Sequence, residues 1–129
     1  MKLLVAVMLT TITTLSLPLP AKAEVAEIRD PSWQEVPGTF ISSERQYADF
    51  AYVDTNGVIR NGDIVTYDVV NPDLSYSRAE TNCRTNQFRA TRQGYFESRT
   101  RVNYFGGSGP WTTATQPYHR ALSRFVCNL

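Results

Sequence analysis

The most regular pattern in the chain is an alternation of side-chain size over residues 77–85. Odd positions in this run carry Ser, Ala, Thr or Cys, and even positions carry Arg, Glu or Asn. A repeat of two residues predicts a β-strand with one face toward a core. Because that face holds only small side chains, we expect another element to pack closely on it.

A helical pattern follows near the C-terminus. Apolar residues recur there with the spacing i, i+3, i+4, i+7 and i+8, at Tyr118, Ala121, Leu122, Phe125 and Val126. This stripe is typical of a helix with one face on the core. We expect Thr115 to cap the helix and Pro117 to lie in its first turn, where the missing N–H costs no hydrogen bond.

Shorter patterns predict the other strands. Residues 47–54 are rich in aromatic residues, and residues 64–70 alternate between apolar and polar positions. Asn61-Gly62 predicts a hairpin turn before the second of these runs. A change of phase between Asn86 and Phe88 predicts a bulge, and a further strand is expected from Gly94 toward Tyr104. The fold class is therefore α+β: a single antiparallel sheet of about five or six strands with a C-terminal helix packed on one face.

The two cysteines connect these elements. Cys83 lies in the alternating run and Cys127 lies at the end of the helical stripe. A disulfide between them would tie the helix to the small-residue face of the strand. The alternatives are a redox pair or a metal site, but the spacing is not Cys-x-x-Cys and a single histidine cannot complete a zinc site. On an ideal helix Cys127 points about 180° from Tyr118, so we expect the last turn to unwind.

The first 23 residues have the features of a signal peptide. Lys2 precedes a run of apolar residues and threonines, and Ala21-Lys22-Ala23 has the small-x-small pattern of a cleavage site. The run is shorter than the ~20 apolar residues that span a bilayer, and it holds no cysteine for a lipid anchor. We expect the chain to be exported to the periplasm or the cell exterior. Residues 24–46 would then form an N-terminal arm and residues 47–129 a single domain.

Charge is distributed unevenly along the chain. Residues 24–76 hold ten acidic residues and three arginines, whereas residues 77–129 hold eight arginines and two acidic residues. The net charges of the two halves nearly cancel, so we expect no nucleic-acid partner. Arg78 and Arg84 would share the outward face of the alternating strand, and Arg99 and Arg101 a face of the next. Such a row could bind a sulfated or otherwise anionic glycan, or an acidic surface of a protein. The alternative is pairing with acidic neighbours, namely Asp63, Asp68 and Glu97.

The single histidine raises the question of catalysis. His119 lies off the apolar stripe of the predicted helix, which indicates a solvent-facing residue. The catalytic alternative is a small secreted phosphodiester hydrolase, with His119 as acid, Glu80 or Glu97 as base and arginines holding phosphate. The spacing does not choose between the two glutamates. No motif in the sequence predicts a cofactor or a metal.

A series of landmarks resembles the surface-adhesin protein E family of small exported bacterial proteins. The resemblance covers about residues 33–127. The landmarks are Trp33, Tyr52-Val53-Asp54, Ile59-x-x-Gly62-x-x-Val65, Ser77, Cys83, Tyr95, Trp111 and Val126-Cys127.

This resemblance implies a curved antiparallel sheet to which paired Cys83 and Cys127 tie a C-terminal helix. It also implies a non-enzymatic, adhesion-like protein that binds other proteins, as a monomer or a homodimer. The chain departs from the family in lacking a lipidation cysteine, so display on the cell surface is not carried over. No binding residue is carried over either.

Overall fold

The computed structural model describes residues 23–40 and 48–129. The predicted signal peptide, apart from Ala23, lies outside the described residues. Within the described part, the chain forms a nine-stranded antiparallel sheet and one helix. None of the helical structure described is both long and apolar enough to cross a membrane. The elements are β1 (Glu24–Glu27), β2 (Trp33–Val36), β3 (Ala51–Asp54), β4 (Ile59–Asn61), β5 (Ile64–Val70), β6 (Ser75–Asn82), β7 (Gln87–Phe96), β8 (Arg101–Gly106), β9 (Thr112–Thr113) and α1 (Pro117–Cys127).

The sheet has the strand order β1-β8-β7-β6-β5-β3-β2, with β4 paired to β5 and β9 paired to β7. The prediction of five or six strands was therefore too low. Four of the five shortest strands, β1, β2, β4 and β9, have two to four residues each, too few to show a period in the sequence. Two of them, β1 and β2, lie in the segment that was expected to be an arm, and they form the two edges of the sheet.

The helix packs on the face of the sheet that the alternation predicted. On β6, Ala79 and Thr81 are buried beneath the helix, and on β5 the buried residues include Tyr67. From α1, Leu122 and Val126 fill the same core. The small residues of β6 leave room for the helix, which explains why that strand carries them. The antiparallel sheet with a C-terminal helix is confirmed.

Two predictions about the path of the chain were wrong. β6 ends at Asn82, and residues 83–86 form a turn that closes with Asn86 at a positive φ of 56°. This turn, and not a bulge, causes the change of phase before Phe88. The sheet does contain a bulge, but it lies where the β6–β7 register shifts between Arg78 and Ala79. β7 is continuous to Phe96, so Gly94 lies within a strand and does not begin one.

The disulfide between Cys83 and Cys127 is present, with the two Cα atoms 5.8 Å apart. The helix continues through Cys127, contrary to the expected unwinding. Cys83 lies beyond the end of β6, where it meets the last helical turn directly. At the other end of α1, the N-cap is Gln116, which makes no side-chain capping bond, so the prediction of Thr115 as cap was wrong. Pro117 occupies the first turn as expected.

The sheet curls around its helix-free side. The rings of Trp33 on β2 and Phe96 on β7 are 5.7 Å apart. These strands are four positions apart in the sheet order, which would separate them by ~19 Å if the sheet were not curved. The side opposite α1 is therefore concave, and we call it the concave face. The link between β1 and β2 crosses it, held by Ile28 N–H to Thr100 O at 2.7 Å and Ser32 N–H to Asp54 Oδ1 at 2.8 Å.

Candidate functional site

A row of four charged residues crosses the concave face. Asp68 on β5 lies opposite Arg78 on β6, which lies opposite Arg92 on β7. Continuing the β3–β5 register places Asp54 beside Asp68 at the end of the row. Two carboxylates therefore occupy one half of the row and two guanidinium groups occupy the other.

The centre of the row is a shielded ion pair. Arg78 Nη1 lies 2.8 Å from Asp68 Oδ2, and the side chains are 21% and 7% exposed. Tyr76 donates its hydroxyl to the other oxygen, Asp68 Oδ1, at 2.6 Å. Burial raises the pKa of Tyr76, and the hydrogen-bonded Asp68 carboxylate raises it further. Both oxygens of Asp68 are thus engaged by the protein.

Asp54 fastens the rim of the concave face. It is 1% exposed, and its Oδ1 accepts the backbone N–H groups of Ser32 at 2.8 Å and Asn56 at 3.1 Å. Its Oδ2 lies close to Gly57, where an added Cβ would stand only 2.6 Å from that oxygen, so only glycine fits there. Asp54 therefore holds the β1–β2 link and the β3–β4 turn together, and both of its oxygens are shielded.

Arg92 ends the row at the opposite side. Its guanidinium carbon lies 4.4 Å from the centre of the Tyr104 ring, a cation–π contact. Among the described residues, no carboxylate lies within ion-pair distance of Arg92. Its cross-strand neighbour is the like-charged Arg78. Like charges directly opposite each other on paired strands destabilise a sheet.

A cavity of about 280 Å³ lies over this row. The segment from Ala26 to Arg29 forms one wall, and the turn with Asn56 and Gly57 forms another. Arg29, Arg78 and Arg92 all line it. The lining also contains three carboxylates: Asp68 bonds Arg78 and Tyr76, Asp54 accepts backbone N–H groups, and Glu27 lies 4.0 Å from Arg101. Among the described residues, Arg92 has no such partner of opposite charge.

The arginines predicted from the sequence do not form one row. Arg78 pairs with Asp68, Arg84 Nε lies 3.1 Å from Asp63 Oδ2, and Arg101 Nε lies 2.9 Å from Glu97 Oε2. Arg99 lies in the turn between β7 and β8, beside an apolar hollow of about 400 Å³ that contains Trp33, Tyr52, Leu74 and Phe96.

The sequence did not identify Arg92, which is the arginine that lies beside Arg78 on the neighbouring strand. The register shift skips Thr91, and this reverses the alternation and turns Arg92 toward the concave face.

His119 lies on the other side of the sheet. Its ring stacks on Phe88 with the centroids 4.0 Å apart, and burial lowers its pKa. The adjoining cavity, of about 130 Å³, has no glutamate or arginine in its lining. Glu80 points to the opposite face, where it pairs with Arg89 at 3.1 Å, and Glu97 bonds Asn103 beside the β7–β8 turn. The structure thus brings neither glutamate to His119.

Within the described ranges, no group of three or more His, Cys, Asp or Glu side chains is arranged to hold a metal ion. Comparison with known proteins finds no family profile, no curated protein and no solved structure that matches this chain.

Proposed function

We propose that the protein is an exported, non-enzymatic binding protein that takes an anionic group of its partner between Arg78 and Arg92. The side-by-side placement of these two arginines carries the proposal. Asp68 neutralises Arg78, but Arg92 has no carboxylate partner in the described part of the chain. An anion over the pair supplies the counter-charge that Arg92 lacks and that Arg78 already has in Asp68.

The chemistry of Arg92 suits an oxyanion. Stacking on Tyr104 uses the flat face of the guanidinium and fixes its orientation. The N–H groups lie in the plane of the guanidinium, where they form paired bonds to a carboxylate, sulfate or phosphate. The cavity of about 280 Å³ has room for such a group and the part of the partner that carries it. A sulfated glycan is the partner that this chemistry favours.

Other features agree with an exported, adhesion-like role. The signal-peptide pattern of residues 1–23 predicts export. The disulfide is the kind that persists in an oxidising compartment. The landmarks shared with the surface-adhesin protein E family support binding over catalysis. Whether the protein is a monomer or a homodimer stays a prediction that light scattering after size exclusion would decide.

Arg92→Gln tests the proposal, with Arg84→Gln as the matched control. Arg84 carries the same charge, but it lies in the β6–β7 turn, where its side chain is 72% exposed and pairs with Asp63. On immobilised heparin at low salt, we expect the wild type and Arg84→Gln to be retained. Arg92→Gln should elute at clearly lower salt, because one strong donor pair to the sulfate is lost.

Two results would contradict this proposal. Either the wild type passes through the column unretained, or Arg92→Gln and Arg84→Gln elute at the same salt concentration. Thermal unfolding of each variant shows whether the fold is intact. Soluble polyglutamate as a competitor distinguishes the two kinds of partner: displacement at lower concentration than soluble heparin would favour an acidic protein surface over a glycan.

A further inference from the structure

A second cavity of about 280 Å³ lies on the helix side of the sheet, beside the disulfide. It is bounded by α1 and by the turn between β6 and β7. Its lining includes Asn82, Asn86, Arg120, Ser123, Arg124 and the Cys83–Cys127 bond, and it contains no carboxylate. Two positive charges with no acidic group among the lining residues make this cavity electropositive.

The serine in its wall has no hydrogen-bond partner. Ser123 is 6% exposed, and among the described residues no donor or acceptor lies within bonding distance of its Oγ. A buried hydroxyl left without a partner costs about 1–3 kcal/mol. Ser123 does not use the carbonyl one turn earlier, the usual partner of a serine inside a helix. Ser123 lines this cavity and the smaller one beside His119, and its hydroxyl has no partner in either, so an anion held against it would supply the missing bond.

The two arginines are also placed without counter-charges. Arg120 and Arg124 are one helical turn apart, so their like charges repel. Neither forms an ion pair within the described ranges. The helix dipole favours Arg124, which lies in the last turn, but it does not favour Arg120 near the helix start. Arg60 adds a third guanidinium nearby, with Nη1 3.3 Å from the carbonyl oxygen of Cys127.

The amide of Asn82 completes the set of donors. Its Oδ1 accepts the backbone N–H groups of Arg84 at 3.0 Å and Thr85 at 3.1 Å. These two bonds fix the amide of Asn82, which lines the cavity, and its NH₂ group makes no hydrogen bond among the described residues. The wall thus combines charged and neutral donors around one space, which is the composition of an oxyanion site.

We infer that this cavity binds a tetrahedral oxyanion, sulfate or phosphate, either free or as a monoester. Arg120 and Arg124 flank the anion and Ser123 donates its hydroxyl to it. The site lies across the sheet from the concave face and shares no residue with it. The inference can therefore be tested separately from the function proposed above. Because the disulfide holds the last turn of α1 against the β6–β7 turn, the site requires the oxidised protein.

Ser123→Ala gives the sharpest test, because its two expected effects have opposite signs. Without ligand, the variant should unfold at a higher temperature than the wild type, since an unsatisfied buried hydroxyl is removed. Its affinity for inorganic sulfate should nevertheless fall several-fold, because a donor to the anion is lost. Calorimetric titration at constant ionic strength, balanced with chloride, measures the affinity.

The arginines are tested by the double variant Arg120→Gln/Arg124→Gln. We expect its sulfate affinity to fall at least about tenfold, since two charge-assisted contacts are lost. Arg101→Gln is the control, because Arg101 lines neither cavity and pairs with Glu97, and it should bind sulfate as the wild type does. Reduction of the disulfide should abolish the binding. A sulfated monosaccharide that binds more tightly than inorganic sulfate identifies an ester as the ligand, and equal affinities identify the free anion.

Three results would overturn the inference. One is a Ser123→Ala variant that gains stability while keeping its sulfate affinity, because the serine would then be a packing feature alone. Another is a thermal shift that rises with sulfate without saturation, equally in the wild type and the double variant. The third is loss of all sulfate binding in Arg92→Gln, which would assign the anion to the concave face.

Discussion

At the scale of single residues, Gly94 determines how closely two strands of the concave face can pack. It lies opposite Tyr104 in the β7–β8 register. A Cβ added at Gly94 would collide with the carbonyl oxygen of Asn103 and stand 2.7 Å from the Cα of Tyr104. The missing side chain leaves space beside Tyr104, on whose ring Arg92 stacks. Gly94 thus helps to position Arg92 at the proposed anion site.

We expect Gly94→Ala to destabilise the protein by about 3 kcal/mol, since backbone atoms must move to admit the methyl group. Gly106→Ala is the matched control, because the nearest atom to its added Cβ is Tyr104 Cε2 at 3.9 Å, an ordinary contact. Urea unfolding of both variants measures the difference. Equal stability of the two variants would mean that β7 and β8 can move apart without lowering the free energy of unfolding.

At the scale of elements, the sequence predicted β5, β6 and α1 because their periods are long enough to recognise, whereas the longest strand, β7, was misplaced. β5, β6 and α1 have seven, eight and eleven residues. The β6–β7 turn was missed because Cys83-Arg84-Thr85-Asn86 contains no glycine or proline, and its side chains continue the alternation of β6.

The site was predicted only in part, for a related reason. Alternation placed Arg78 correctly on the face away from the helix, and its pairing with Asp68 was among the alternatives considered. Arg92 could not be placed, because a single skipped residue in β7 reverses the direction of every side chain after it. The curl of the sheet depends on contacts between distant strands, which no local pattern contains.

The helix also carries a pH-dependent contact. Burial lowers the pKa of His119 below its ordinary value of 6.5, so the folded state favours the neutral ring. As the pH falls through 6.5, the unfolded chain takes up a proton that the folded protein resists. The contribution of the neutral His119 ring to the free energy of unfolding is therefore fully present above pH 6.5. It declines with acidification until the pH has passed the lower pKa of the folded state. The facing groups, Phe88 and Tyr118, carry no charge that would offset this.

Urea unfolding between pH 7.5 and 5.5 should show this decline in the wild type. His119→Gln has no group that titrates there and should show a flatter profile, although it loses the stacking contact with Phe88. A wild-type protein that gained stability on acidification through this range would contradict the expected direction. Parallel profiles for the two proteins would assign the pH dependence to other groups.

At the scale of the whole molecule, the acidic first half and the basic second half of the chain are interleaved. Ion pairs Asp68–Arg78, Asp63–Arg84 and Glu27–Arg101 each join the two halves. Antiparallel pairing places β5 beside β6 and β1 beside β8, so opposite charges meet across strands. These pairs use three of the eight arginines of the second half, and Arg92, Arg120 and Arg124 of the two proposed anion sites are among those without an ion pair in the described residues.

The disulfide is the covalent link between the two layers. It joins residues 44 positions apart, for which loop entropy suggests a stabilisation of about 4 kcal/mol. We expect the double variant Cys83→Ser/Cys127→Ser to lose about that much free energy of unfolding. The wild type should lose the same amount in reductant, whereas the variant should not respond. If reductant frees both thiols, as mass analysis would show, and the unfolding midpoint does not change, the bond contributes nothing to stability.

The strand order also determines when the sheet can be completed. β1 and β2 are neighbours in sequence, yet they occupy opposite edges, and β1 pairs only with β8. Synthesis proceeds from the N-terminus, so β1 leaves the ribosome long before its partner exists. Contacts of such high contact order form late and slowly. We therefore expect the link that covers the concave face to be placed after the central hairpins have assembled, so that the cavity beneath it forms only in that late step.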